Sequence, residues 1–216
     1  MSTRSRNQEE KALRREILLD AAQSIFFKKG FENTSMADIA LESGFSRALL
    51  YVYFKGKKDI YRNLRIRSLE VLLKRTKQLV EQADSGIEKL KKIGKAYHLF
   101  YLNDRKHFDC LSVDISLSNQ TDDLERQSEK DPELLAVEKN MMHIMVAAIE
   151  IGKKDGTIDP FKVPNPLQTA MFLRGSLHGV IMLTNENGKA LLEKAGLDKY
   201  ELVEYTIENG TNTLKH

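Results

Sequence analysis

The chain has one cysteine, Cys110, in 216 residues, which excludes an intramolecular disulfide framework and any cysteine pair. Beside Phe108 and Leu111, that lone thiol reads as a small buried apolar residue, with a reactive thiol as the alternative. Proline and glycine are sparse, at 4 and 12 residues, so long stretches can stay helical. Neither a strand-like alternation nor an internal repeat is present. No apolar run reaches membrane-spanning length, and Met1-Ser2-Thr3-Arg4-Ser5-Arg6 is not an apolar signal segment. The expectation is a cytoplasmic protein that does not engage a membrane. Catalytic signatures are missing too: no phosphate loop, no His-Glu-x-x-His and no Gly-x-Ser-x-Gly, so no enzyme, cofactor or metal is expected. His98, His107 and His143 with Asp104, Asp109 and Asp114 lack ligand spacing and read as scattered surface residues. Three Asn-x-Ser/Thr triplets, at Asn33, Asn119 and Asn209, are read as chance matches.

What is present is unevenly charged. The net charge of +3 is unremarkable, but residues 1–67 hold 14 Lys+Arg against 8 Asp+Glu, and the remainder holds 20 against 23. A basic excess in the first third suits phosphate neutralisation. A solvated basic face is the alternative, and Arg4 and Arg6 are expected on a flexible N-terminal arm.

The same region carries a helix-turn-helix pattern. Ser35 precedes Met36, Ile39 and Ala40, with Asp38 three residues on, which is the spacing of a capped helix start. Gly44 can end that helix in the left-handed conformation, and Ser46 can cap the next. Ala40, Leu41, Phe45, Leu50 and Phe54 form the expected apolar seam, leaving Arg47, Ala48, Leu49 and Tyr51 outward. A helical hairpin used only for packing would show the same local pattern.

The ordered run Ala21-Ala22, Phe26, Gly30-Phe31, Thr34-Ser35, Ile39-Ala40, Gly44-Phe45-Ser46, Leu50-Tyr51, Tyr53-Phe54 and Lys57 resembles the DNA-binding domain of the TetR family of bacterial transcriptional regulators. The resemblance covers about the first third of the chain. Leu49 and Val52 depart from it, both in the second short helix. It implies an all-α fold, with a three-helix DNA-binding domain at 1–56 and a helical effector-binding and dimerisation domain at 57–216. It also implies a dimeric repressor on a palindromic double-stranded DNA operator, released when a small molecule enters the second domain. The DNA-contacting set is expected to be Thr34, Ser35, Ser46, Arg47, Ala48, Tyr51, Tyr53 and Lys57, with Arg47 reading a base and Lys57 a phosphate. An all-α enzyme or interaction module is the alternative.

Beyond residue 57 the pattern predicts helices over 57–83, from Ser85-Gly86, over 106–119, from Asp131-Pro132 to a break at Gly152, from Pro164-Asn165-Pro166 to Asn187-Gly188, and from Asp198. Residues 121–130 read as a polar loop, and 153–157 as a connector. Leu134, Val137, Met141, Met145 and Ala148 share a face, widened by Leu135, Met142 and Ile149, with His143 on the polar side. Tyr97 and Tyr101, and Arg174 and His178, each lie one turn apart. An effector cavity is expected among Tyr97, Tyr101, Met141, Met145, Phe172, Arg174 and His178. Arg174 is expected to face either an acidic ligand or a second subunit. Gly175 and Gly179, flanked by Leu173, Leu177 and Val180, are expected at the homodimer interface with the last helix.

Overall fold

The computed structural model describes residues 3–116, 131–184 and 186–216. Ten helices and no strand occur among them: α1 (Thr3–Lys29), α2 (Met36–Ser43), α3 (Arg47–Tyr53), α4 (Lys57–Val80), α5 (Gly86–Asn103), α6 (Arg105–Ser116), α7 (Pro132–Asp155), α8 (Pro166–Leu183), α9 (Glu186–Ala195) and α10 (Lys199–Asn212). The all-α expectation holds. The expected loop at 121–130, and the end of the third helix at 117–119, lie outside the described residues.

The helices form two compact units. The described residues of the first fall within Met1–Leu69 and Lys106–Leu135, and those of the second within Glu70–Arg105 and Ala136–His216. The residue 56/57 boundary expected from the sequence lies inside the first unit.

In the first unit, α1 begins at Thr3, inside the segment expected to be a flexible arm. Glu10 and Arg14 pair one turn apart there, and Glu, Lys, Gln and Arg are good helix formers. Leu18, Leu19, Ala22 and Ile25 of α1 pack with Ile39 and Ala40 of α2, Leu50 of α3, Phe54, and Ile60 and Leu64 of α4. Arg67 on α4 ties back to α1 through Asp20 at 2.7 Å and Gln23 at 2.8 Å.

Asp131 caps α7 and joins it to α4 in this unit. Its Oδ1 accepts from the amides of Glu133 at 3.1 Å and Leu134 at 3.2 Å. The same carboxylate pairs with Arg62, whose Nη2 also donates to Glu133 at 2.7 Å. The Arg62 guanidinium, more than any other contact, lowers the Asp131 pKa from 3.8 to about 2. A folded value below the unfolded one means the pair stabilises fully above about pH 4, and the contribution disappears as pH falls through about 2. Asp131→Asn should therefore flatten the loss of stability over that window, and cost about 1 kcal/mol or more at neutral pH as cap and pair weaken. Denaturant titrations of both proteins from pH 6 to pH 2 measure this. Parallel curves across the window would exclude the role.

The second unit is built on Ile87, Leu90 and Ile93 of α5, Met145, Ala148 and Ile149 of α7, Ile158, Val163, Ala170 of α8 and Leu214. Three boundaries differ from expectation. Gly152 does not break α7, which runs to Asp155; it is buried where a Cβ would press into Ile158, so its lack of a side chain serves packing. Gly156, at φ 78°, is the residue that follows the helix end. Nor does α8 reach Asn187-Gly188. Thr184 closes it, its amide and its hydroxyl both bonding back to the last turn, and a separate helix, α9, follows. The start of α8 is as expected, with Asn165 accepting from the Gln168 amide at 3.1 Å and Pro166 in the first turn. Asp198 likewise caps α10 through the Tyr200 and Glu201 amides.

Candidate nucleic-acid interface

The turn between α2 and α3 is set by short-range bonds. The Ser35 amide donates to Asp38 Oδ2 at 2.8 Å, and the Asp38 amide donates to Ser35 Oγ at 3.1 Å, a reciprocal capping box. Gly44 takes φ 71°, left-handed, and donates to the Leu41 carbonyl at 3.3 Å. Ser46 Oγ then accepts from the Leu49 amide at 3.2 Å and starts α3. Leu50 and Phe54 turn into the core at 0% and 2% exposure. Arg47, Ala48, Tyr51 and Val52 are left outward, all exposed. Leu49 is only half exposed.

Leu41 does not join the expected seam; it is 85% exposed. Ile39 and Ala40 occupy the inward side of α2 instead, and a helix one residue on turns the next side chain away. Thr34 is buried, its hydroxyl donating to the Gly30 carbonyl at 2.8 Å, so it shapes the turn and its side chain is not presented to a ligand. Lys57 is half-buried and bonds within its own unit as well. Its Nζ lies 4.4 Å from the centre of the Phe31 ring and donates to the carbonyls of Phe31 at 2.7 Å and Glu32 at 3.2 Å. Two of its three donors already hold the α1–α2 connection. Ser35, Ser46, Arg47, Ala48 and Tyr51 stay exposed, and Tyr53 is half-buried against the core.

Two lysines not singled out in the sequence complete the electrostatics. Lys29 Nζ meets Asp38 at 2.6 Å, and Lys28 Nζ meets Glu42 at 2.8 Å. Each ammonium is the leading reason its carboxyl lies below the ordinary carboxylate range. Both acids of α2 are thus matched by cations of α1, which removes a repulsion that phosphates would otherwise meet. The basic last turn of α1 was the available signal for this.

The seven expected effector residues are spread over α5, α7 and α8. Tyr97 and His178 do meet, with the hydroxyl 2.7 Å from Nδ1. Burial pushes the Tyr97 phenol up to about 12 and the His178 imidazole down, and the nearby Arg174 charge adds to the second shift. Arg174 itself is exposed, with Nη1 3.9 Å from Met142 Sδ. Tyr101 lies under the Arg105 guanidinium, 5.0 Å from its ring centre. Met145 belongs to the core, Met141 is half-buried, and Phe172 is 64% exposed on the outer side of α8. A surface depression of about 530 Å³ in the second unit is lined by Arg75, Gln78, Leu79, Glu81, Gln82 and Leu99. Helix rotation explains the split: Phe172 and Arg174 are two residues apart and cannot share a face.

The outer side of α8 is apolar and open. Leu167, Met171, Phe172 and Leu183 are exposed, and a Cβ on Gly175 or Gly179 would meet nothing within 4 Å. Of the residues expected on this face, Leu177 is buried, Leu173 packs on the core of its own unit, and Val180 is half-buried. Tyr205 of α10 is also exposed. No helix among the described residues is long and apolar enough to cross a membrane.

Residues 18–64 match the family model described as bacterial regulatory proteins, tetR family. An HTH-type transcriptional regulator of Bacillus subtilis, YfiR, is 43% identical over 56 residues, 26% of this chain and 27% of that protein. The aligned region is therefore about a quarter of that relative's length. The fatty acid metabolism regulator protein of Bacillus subtilis is 24% identical over 143 residues, 65% of this chain and 69% of its own. Among solved structures, FadR of Bacillus halodurans superposes with a TM-score of 0.71 at 18% identity, covering 94% of this chain and 97% of that one. FadR of Bacillus subtilis, solved in complex with stearoyl-CoA, gives 0.70 at 16%, covering 92% and 98%. These two structures bear on the fold alone. The matched segment contains the whole capped turn and the exposed face of α3, and over residues 18–64 this chain is similar to the TetR family of bacterial regulatory proteins.

Proposed function

We propose that the protein is a dimeric, ligand-responsive transcriptional repressor that binds a palindromic operator. Residues 1–56 act as the DNA-binding domain and 57–216 as the effector and dimerisation domain. The observation that carries this reading is the outward face of α3, which presents Arg47, Ala48, Tyr51 and Val52 from a short helix capped at its start. Such a helix fits the major groove. Ser35, Ser46, Tyr53 and Lys57 flank it, Lys57 toward phosphate, and Thr34 shapes the turn from within. The apolar outer side of α8, with Tyr205 of α10, supports pairing with a second copy, which a palindrome requires. Arg174, beside the Tyr97–His178 pair, supports an effector with an acidic group. The effector acts by favouring a conformation that fits the operator poorly.

Arg47 is the base reader, because a guanidinium can bond guanine O6 and N7 together. Arg47→Ala should lower discrimination between operator and random DNA by about 1–3 kcal/mol, and reduce random-DNA binding much less. Competition titrations at one fixed salt concentration measure both. An unchanged operator preference would remove Arg47 from the reading role.

A further inference from the structure

We infer that Val52, together with Ala48, is a specificity-determining residue that reads thymine C5-methyl groups, so that the half-site joins a guanine to thymines. The inference rests on the DNA-binding reading above and narrows it to one base chemistry.

Its basis is the composition of one small face. Arg47, Ala48, Tyr51 and Val52 occupy an arc of about 140° on α3 at 100° per residue. All four are exposed, and Val52 is 69% exposed. A β-branched residue gains nothing from helix propensity there, and at this exposure it adds little to the core. The face carries no Asn or Gln, the residues that pair with adenine, and no Asp or Glu, which accept from the cytosine amino group. Hydrogen bonding is left to the Arg47 guanidinium and the Tyr51 hydroxyl. The other two side chains offer only methyl groups.

Base edges in the major groove present one apolar group, the thymine methyl. An apolar side chain on the reading face is complementary to that group. Against the other three bases it buries a donor or acceptor without a partner. Ala48 and Val52 stand one helical turn apart, about 6 Å. That distance corresponds to about two base steps at 3.4 Å each along a strand. The methyls read by these two residues should therefore lie within two or three base pairs of each other.

The test uses the full chain. A half-site is first enriched from random duplex DNA. Each thymine is then replaced singly by uracil, which keeps every hydrogen-bonding group and removes only the methyl. Binding is measured by fluorescence anisotropy. One or two of these replacements should weaken binding about fourfold, the value of one buried methyl. Val52→Ala should lose the penalty at one of those positions, and Val52→Thr, which keeps a methyl, should retain most of it. Circular dichroism of the variants should match the parent, since Val52 is exposed. Indifference to uracil at every position, or equal penalties in parent and Val52→Ala proteins, would overturn the inference and leave DNA reading intact. Failure to enrich any sequence would overturn both.

Discussion

Gly86→Ala should destabilise the second unit by about 3 kcal/mol, the upper end of the cost of overpacking. Gly86 opens α5 against α7, and a Cβ there would collide with the backbone nitrogen and Cα of Gly152 and lie 2.5 Å from the Ala148 carbonyl oxygen. These are backbone atoms of a buried helix, so no rotamer change relieves the contact. The Gly86 amide also donates to Asp155 Oδ2 at 2.7 Å, and the Ile87 amide to Thr157 Oγ1 at 3.2 Å. Moving α5 outward would break both bonds and leave helix-start amides without acceptors. The melting temperature should fall roughly 6–12 °C for a chain of this size. Gly56→Ala is the control: nothing lies within 4 Å of its Cβ, so the melting temperature should hold or rise. Near-identical melting of the Gly86 variant and the parent would mean that the two helices do not approach this closely.

The second large effect is expected at Gly179. It lies on the outer side of α8 with Gly175, in line with Met171, Phe172 and Leu183, and a Cβ there meets nothing within 4 Å of its own chain. Gly179→Glu should therefore leave the protomer folded, with unchanged helical content. If a second copy covers this face, the carboxylate would be buried without a partner, and the dimer should separate. Losing simultaneous contact with both half-sites removes an effective-concentration gain of roughly 100- to 10,000-fold. Operator affinity should fall by that order, and sedimentation should show monomers. An intact dimer from this variant would place the interface elsewhere.

The N-terminal unit was largely legible in the chain, and the reason is locality. Ser35 with Asp38, Gly44, and Ser46 act within four residues of themselves, so their spacing alone specifies the capped turn. The same holds for Asn165-Pro166 and Asp198 at the starts of α8 and α10. The reading failed where a residue's role depends on a distant partner. Gly152 resembles a helix breaker until α5 and Ile158 are packed on it. Lys57, read only as a phosphate contact, also holds the carbonyls of residues 31 and 32 with its ammonium, a role its local spacing does not show.

The residues expected to bind an effector depend on packing in the same way. Helical spacing put Tyr97 near Tyr101 and Arg174 near His178, but which side of each helix meets which neighbour is a property of the packed unit. In it Tyr97 and His178 bond, Met145 joins the core and Phe172 faces outward. By itself the sequence determined the helical class, the helix starts and the reading turn, because caps, periodicity and glycine conformation act over single turns. Tertiary structure alone decided which lysines neutralise α2, which glycines are contact points, and which apolar residues of α8 remain open, because those depend on the rotation of one helix against another, which no local pattern encodes.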